Sequence, residues 1–161
     1  MAKRLSEKLG VTHIDLDTIR QPGGNNTKRS IQERFPYVQE VAKRKTWVTE
    51  GIYLAWVKVL LDNADQIIFL DISPVITIPR VLLRYIHRVI NGRNKYGFFN
   101  EMSLVTDIIN YHYPKAGQEN SIEDRFITRR KTLTALRQYK QKTIILRGTK
   151  SVNKYLQSLS Y

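Results

Sequence analysis

Asp65-Gln66-Ile67-Ile68-Phe69-Leu70-Asp71-Ile72 is the stretch that decides the fold class. Its centre, Ile67 to Leu70, is continuously apolar and carries no alternation of inside and outside residues. A short run of this kind, bounded by acids, is the pattern of a strand covered on both faces in a parallel sheet. Parallel strands need crossovers, usually helices, and the flanking sequence supplies them. Ser73-Pro74 opens a helix predicted over 75–91, with Pro79 in its first turn or kinking it and Leu82, Leu83, Ile86, Val89 and Ile90 as its inward stripe.

Upstream, a helix is predicted over 2–9, where Leu5 and Leu9 share a face and Gly10 is the stop. A strand follows over 11–17 and a turn-rich loop over 21–26. Ser30 and Glu33 form a capping-box pair for the next helix, with a break expected at Pro36 and a second helical piece over 37–45. A strand is predicted over 45–51 and a helix over 52–61. Downstream come a basic, aromatic loop over 92–100, a helix over 101–113 ended by Pro114, and a helix over 122–141 capped by Ser121. The last strand is 143–147 and the last helix 151–159. Helices alternating with short apolar strands predict a three-layer α/β/α fold with a mostly parallel sheet, in one domain spanning 1–161.

Composition narrows the partners. Among 161 residues, 27 Lys and Arg against 14 Asp and Glu give a formal charge of +13. That balance favours polyanions: nucleic acid, nucleotide phosphates or an anionic surface. The field is densest between Asp71 and Glu101, where no acid interrupts Arg80, Arg84, Arg88, Arg93 and Lys95. The absence of cysteine excludes disulfides and thiolate metal sites within this chain. No apolar run approaches the roughly 20 residues that span a bilayer, and none follows the basic start as in a signal peptide. A cytoplasmic protein with no membrane partner is the expectation.

Ligands of open parallel sheets bind beyond the carboxyl ends of the strands. Asp15, Asp17, Glu50, Gly51, Asp71 and Arg147 all fall at predicted strand ends. Asp15 and Asp17 are two apart, so an extended strand points both carboxylates one way, where they serve a metal ion or a substrate hydroxyl, or are ordinary strand-end acids. His13, His87 and His112 share no metal-site spacing. Trp47, Tyr53 and Trp56 read as core or pocket wall. Tyr96, Phe98 and Phe99 beside Arg93 and Lys95 suit either base stacking or packing among themselves. Arg125, Arg129 and Arg130 suit phosphate contacts from the following helix but read better as surface charge.

The segments MAKRLSEKLGVTHIDLD (1–17), WVTEGIY (47–53), DQIIFLDISP (65–74), RVLLRYIHR (80–88) and TIILRGTKSVNKYL (143–156), in that order, resemble the P-loop nucleoside and nucleotide kinases. The resemblance is closest to the adenylate-kinase-related group labelled DNA topology modulation proteins. It covers nearly the whole chain. It implies a five-stranded parallel sheet, an arginine-rich lid (92–120 here), and phosphoryl transfer from ATP with Mg2+ to a nucleotide or small hydroxyl acceptor. It implies catalytic roles for Asp17, Arg84 and Arg88, and acceptor-side roles for Asp15, Glu50, Gly51, Arg80 and Arg93. It also implies Mg2+ near Asp15, and nucleotide contacts from Arg147 and Lys150.

One departure is large. The family's phosphate-binding loop, G-x-x-x-x-G-K-[ST], is absent from this sequence, and Gly23-Gly24-Asn25-Asn26 lacks its Gly-Lys-Ser/Thr ending. The family's first helix corresponds to residues 1–10. The expectation is therefore an internal methionine taken as the start, a shortened gene or a degenerate relative. The central first strand of the family's sheet is then missing. The strands near 47–50 and 67–70 either close up and pair, or keep exposed edges that favour self-association. The expected function is a kinase-like protein with impaired ATP binding and catalysis. The alternative is a basic nucleic-acid-binding or regulatory protein on the same scaffold.

Overall fold

A computed structural model describes residues 1–23, 27–92, 97–115 and 127–159. Helix α1 (Ala2–Leu9) buries Ala2 and Leu5 and ends at Gly10, whose φ of 65° closes the last turn. Strand β1 (His13–Asp15) is shorter than the predicted 11–17. It stops because Asp15 caps α2 (Leu16–Arg20): an Asp15 Oδ1 accepts the Asp17 N–H at 2.8 Å.

The capping box at Ser30 and Glu33 starts α3 (Ile31–Ala42) as predicted. The break expected at Pro36 does not occur, and α3 runs through it. Proline removes one helical hydrogen bond there, while Val38 and Val41 bury the following turns against Leu16, Ile19 and Trp56. After β2 (Val48–Glu50), the helix expected over 52–61 is corrected to α4 (Lys58–Asn63). Residues 51–57 instead cross the core edge, placing Tyr53 and Trp56 in ring contact at 4.7 Å.

Strand β3 (Ile67–Leu70) is followed by α5 (Pro74–Ile90), with Pro74 in its first turn and no interruption at Pro79. Helix α6 is Phe98–His112. Of the helix expected over 122–141, residues 122–126 lie outside the described residues and 127–128 are not helical: α7 (Arg129–Leu136) is capped by Thr128, whose own backbone is extended, and passes into a 3₁₀ segment (Arg137–Lys142). Ser121, the expected cap, lies outside the described residues. Strand β4 (Thr143–Leu146) and α8 (Gly148–Ser158) complete the fold.

The fold is mixed α/β with two small parallel sheets. β1 pairs with β2 in the register His13–Val48, Ile14–Thr49, Asp15–Glu50. β3 pairs with β4 in the register Ile67–Thr143 to Leu70–Leu146. Parallel pairing agrees with the apolar strand pattern. The single continuous sheet does not form among the described residues, because β2 and β3 belong to different sheets. Helices bridge them: Ala2 and Leu5 of α1, Val48 of β2 and Leu156 of α8 form one buried cluster, against which Ile68 of β3 packs.

The expected inward stripe of α5 is also corrected. Leu83, Ile86, Val89 and Ile90 are exposed, and Val81 is the buried residue of α5. Helix α6 packs on the other side of α5, through the Tyr85–Phe98 ring contact at 5.9 Å and the Arg88–Glu101 ion pair at 2.6 Å. No helix among the described residues is long and apolar enough to cross a membrane.

Candidate ligand cleft

The turns that leave β2 and β3 at their carboxyl ends open onto a cleft of about 860 Å³. Ile52 and Tyr53 follow β2, and Leu70 and Ile72 close β3; together they form an apolar wall. Thr77 and Arg80 contribute from the start of α5, and the last two turns of α6 add Asp107, Asn110, Tyr111 and His112. Arg20, at the end of α2, and Lys28 complete the rim, with Thr128 at the entry to α7. Three cations, Arg20, Lys28 and Arg80, thus face one carboxylate, Asp107. Such a rim over an apolar wall suits a ligand with a flat apolar body and anionic groups.

Local bonds fix the walls. The Tyr53 hydroxyl donates to Asp17, and burial together with that carboxylate raises the Tyr53 pKa well above a free phenol. Arg80 Nη2 donates to Thr149 Oγ1 at 2.5 Å, tying α5 to α8 beside the cleft. Burial, aided by the charge of Arg129, holds His112 below its ordinary pKa, so its imidazole is neutral at pH 7. Burial also pushes the Tyr111 phenol up.

Near His112, Asp71 is nearly enclosed. Arg129 grips both its oxygens at 2.6 and 2.7 Å, and Arg147 Nε stands 3.3 Å away. The Arg129 hydrogen bonds hold the Asp71 carboxyl below the usual carboxylate range. Arg129 is therefore an ion-pair partner, not the surface charge its sequence suggests. The bidentate clamp joins the end of β3 to the start of α7.

The candidate residues separate into distinct places. Asp15 and Asp17 do not share a strand face, because the chain turns helical at Leu16; Asp15 caps α2 while Asp17 receives Tyr53. Among the described residues, no group of three or more His, Cys, Asp or Glu is arranged to hold a metal ion, Asp15 included. Glu50 lies 2.9 Å from His13 Nε2. Gly51, at φ 147°, lets the chain pass so close that a Cβ would meet Leu16 Cβ at 2.9 Å and the Tyr53 ring at 3.0 Å.

Of the arginines on α5, Arg80 lines the cleft. Arg84 and Arg88 point to the buried Glu101, at 3.9 and 2.6 Å, and brace α6. Arg147 joins Asp71, and Lys150 is exposed in the first turn of α8. Arg93 lies outside the described residues, as does much of the lid-like 92–120; the described part, 97–115, contains α6 packed on α5. Arg20, Lys28, Asp107 and His112 were not singled out for the cleft from sequence. Arg20 carried a usable signal, since it stands one helical turn past Asp17. Lys28, Asp107 and His112 carried none, because they meet the cleft only through tertiary packing. No family model matches the chain, nor does any curated protein or solved structure.

Proposed function

We propose that this chain is an adenylate-kinase-related, P-loop-kinase-like protein, and that its cleft takes a nucleotide or another small phosphorylated ligand. The observation that carries this reading is the cleft itself: Arg20, Lys28 and Arg80 converge beyond the carboxyl ends of β2 and β3, over the apolar wall of Ile52, Tyr53, Leu70 and Ile72. The strand pairing supports it. Among the described residues both strand pairs, β1 with β2 and β3 with β4, are parallel, as in a parallel-sheet fold of that kind. ATP with Mg2+ is the proposed co-substrate and a nucleotide or small hydroxyl compound the acceptor. Phosphoryl transfer relies on positioning and electrostatic stabilisation, the roles proposed here for Arg20, Lys28 and Arg80.

Calorimetric titration of the chain with ATP and Mg2+ tests this reading. Saturable binding that the Arg20→Ala, Arg80→Ala double variant abolishes, with its melting curve preserved, is expected. Binding unchanged in that variant contradicts it. A second reading, polyanion binding, is favoured by the acid-free stretch between Asp71 and Glu101 within a +13 chain. It predicts nucleic-acid affinity that falls linearly with salt on logarithmic axes and drops further in Arg84→Glu.

A further inference from the structure

We propose that the solvent-facing side of α5 is a docking surface for an amphipathic helix of a partner protein, one whose polar border is acidic. The surface shares Arg80 with the cleft, but its apolar stripe lies outside the cleft lining. Ile76, Pro79, Leu83, Ile86 and Ile90 recur at spacings of three and four along one side of α5. Leu83, Ile86 and Ile90 are 58, 48 and 75 % exposed. Ile76 to Ile90 covers about 21 Å of helix axis at 1.5 Å per residue. A stripe of this period and length is the seam one helix offers another. In a monomer, an apolar strip of this kind marks an interaction surface. Helix α6 does not cover it, because α6 sits on the Val81, Tyr85 and Arg88 side.

Charge selects the occupant. Arg80 and His87 directly border the stripe along one edge, with Arg84 in the next row, and α5 contains no acid. The opposite edge carries Val75, Leu82 and Val89. A second copy packed antiparallel sets the Arg80 and Arg84 edge against its own equivalent, which like charges disfavour. A membrane-lying helix needs cations on both borders of its apolar sector so that both reach the headgroups. Here they stand on one border. An acidic-edged helix seats its apolar residues between those of α5 and brings its carboxylates to Arg80 and to Arg84, whose side chain stays 57 % exposed at 3.9 Å from Glu101.

The test uses the full chain and two synthetic amphipathic helical peptides with the same leucine and isoleucine seam. One carries glutamates along its borders and the other lysines. Fluorescence anisotropy is expected to show saturable binding of the glutamate peptide and at least about tenfold weaker binding of the lysine peptide. Leu83→Ser with Ile86→Ser is expected to abolish binding while the melting temperature stays within a few degrees, since both side chains are exposed. The Arg84→Glu, His87→Glu variant is expected to reverse the peptide preference. Equal binding of the two peptides, or none, overturns the proposal. Sedimentation showing a dimer that Leu83→Ser with Ile86→Ser dissolves replaces the partner with a second copy. Flotation with vesicles of phosphatidylcholine and phosphatidylserine in equal parts, lost in the same variant while neither peptide binds, replaces it with a lipid surface.

Discussion

The apolar cluster around Trp56 and the outer stripe of α5 are written in the same sequence language and end in opposite environments. Leu16 and Ile19 on α2, and Val38 and Val41 on α3, are pairs three apart, like Leu83 and Ile86 on α5. The first four converge on Trp56, which is fully buried along with Val38. Among the described residues nothing converges on Leu83 and Ile86, because α6 docks on the other side of their helix. Helical spacing tells which residues share a face; it does not tell whether the chain supplies anything for that face to meet.

The widest gap expected from this contrast is in stability. Trp56→Ala should cost about 3–5 kcal/mol, the range for emptying a buried aromatic site. Leu83→Ala should stay within about 0.5 kcal/mol, as for surface sites. Urea unfolding of the two variants measures both, and equal losses would break the contrast.

The next effect concerns how the second sheet is tied to α7. Arg129→Ala leaves the nearly enclosed Asp71 carboxylate with Arg147 as its remaining ion-pair partner among the described residues. The Arg129 side chain is 39 % exposed, so the loss should fall below the buried-pair range, at about 2 kcal/mol. The sign with pH follows from the lowered Asp71 pKa. Its stabilisation is present above the unfolded carboxylate pKa, about 3.9, and is lost as pH falls through the folded value. Melting temperatures of the parent chain should therefore drop below about pH 4, and Asp71→Asn should flatten that part of the profile.

Gly51 sharpens the contrast at a smaller scale, since it sits where β2 passes over the Trp56 cluster. Gly51→Ala combines an unfavourable φ with a Cβ 2.9 Å from Leu16. A loss of about 1–3 kcal/mol is expected in the same unfolding experiment; a neutral result would mean that the turn relaxes freely. The smallest effect is Ser30→Ala, which removes the exposed cap of α3 and should cost about 1 kcal/mol. It gauges how far α3 depends on its cap beyond the Val38 and Val41 contacts.

These sites also show what the sequence made legible. The Gly10 stop, the Ser30–Glu33 box and the continuous apolar run of β3 were readable because each is decided by neighbours within a few residues. The Asp15–Asp17 pair was misread because Asp15 is both a strand-end acid and a helix cap, and the cap ends the strand two residues before the predicted boundary. Trp56 reads as core or pocket wall and is core, but the helix expected around it does not form, because Gly51 and the packing of Tyr53 turn 51–57 away from helical geometry. The resemblance implies catalytic roles for Arg84 and Arg88. Their partner is Glu101, on another helix, and only the α5–α6 packing reveals it. The cleft likewise draws on residues from Arg20 to Thr128, so no local pattern announces it.

Amide shift mapping in 15N-labelled chain, titrated with ATP and Mg2+, tests the cleft assignment most directly. The cleft predicts saturable shifts around Tyr53, Ile72, Tyr111 and Thr128 that disappear in the Arg20→Ala, Arg80→Ala variant. Shifts confined to the outer side of α5, around Leu83 and His87, or no saturable shifts at all, would contradict it.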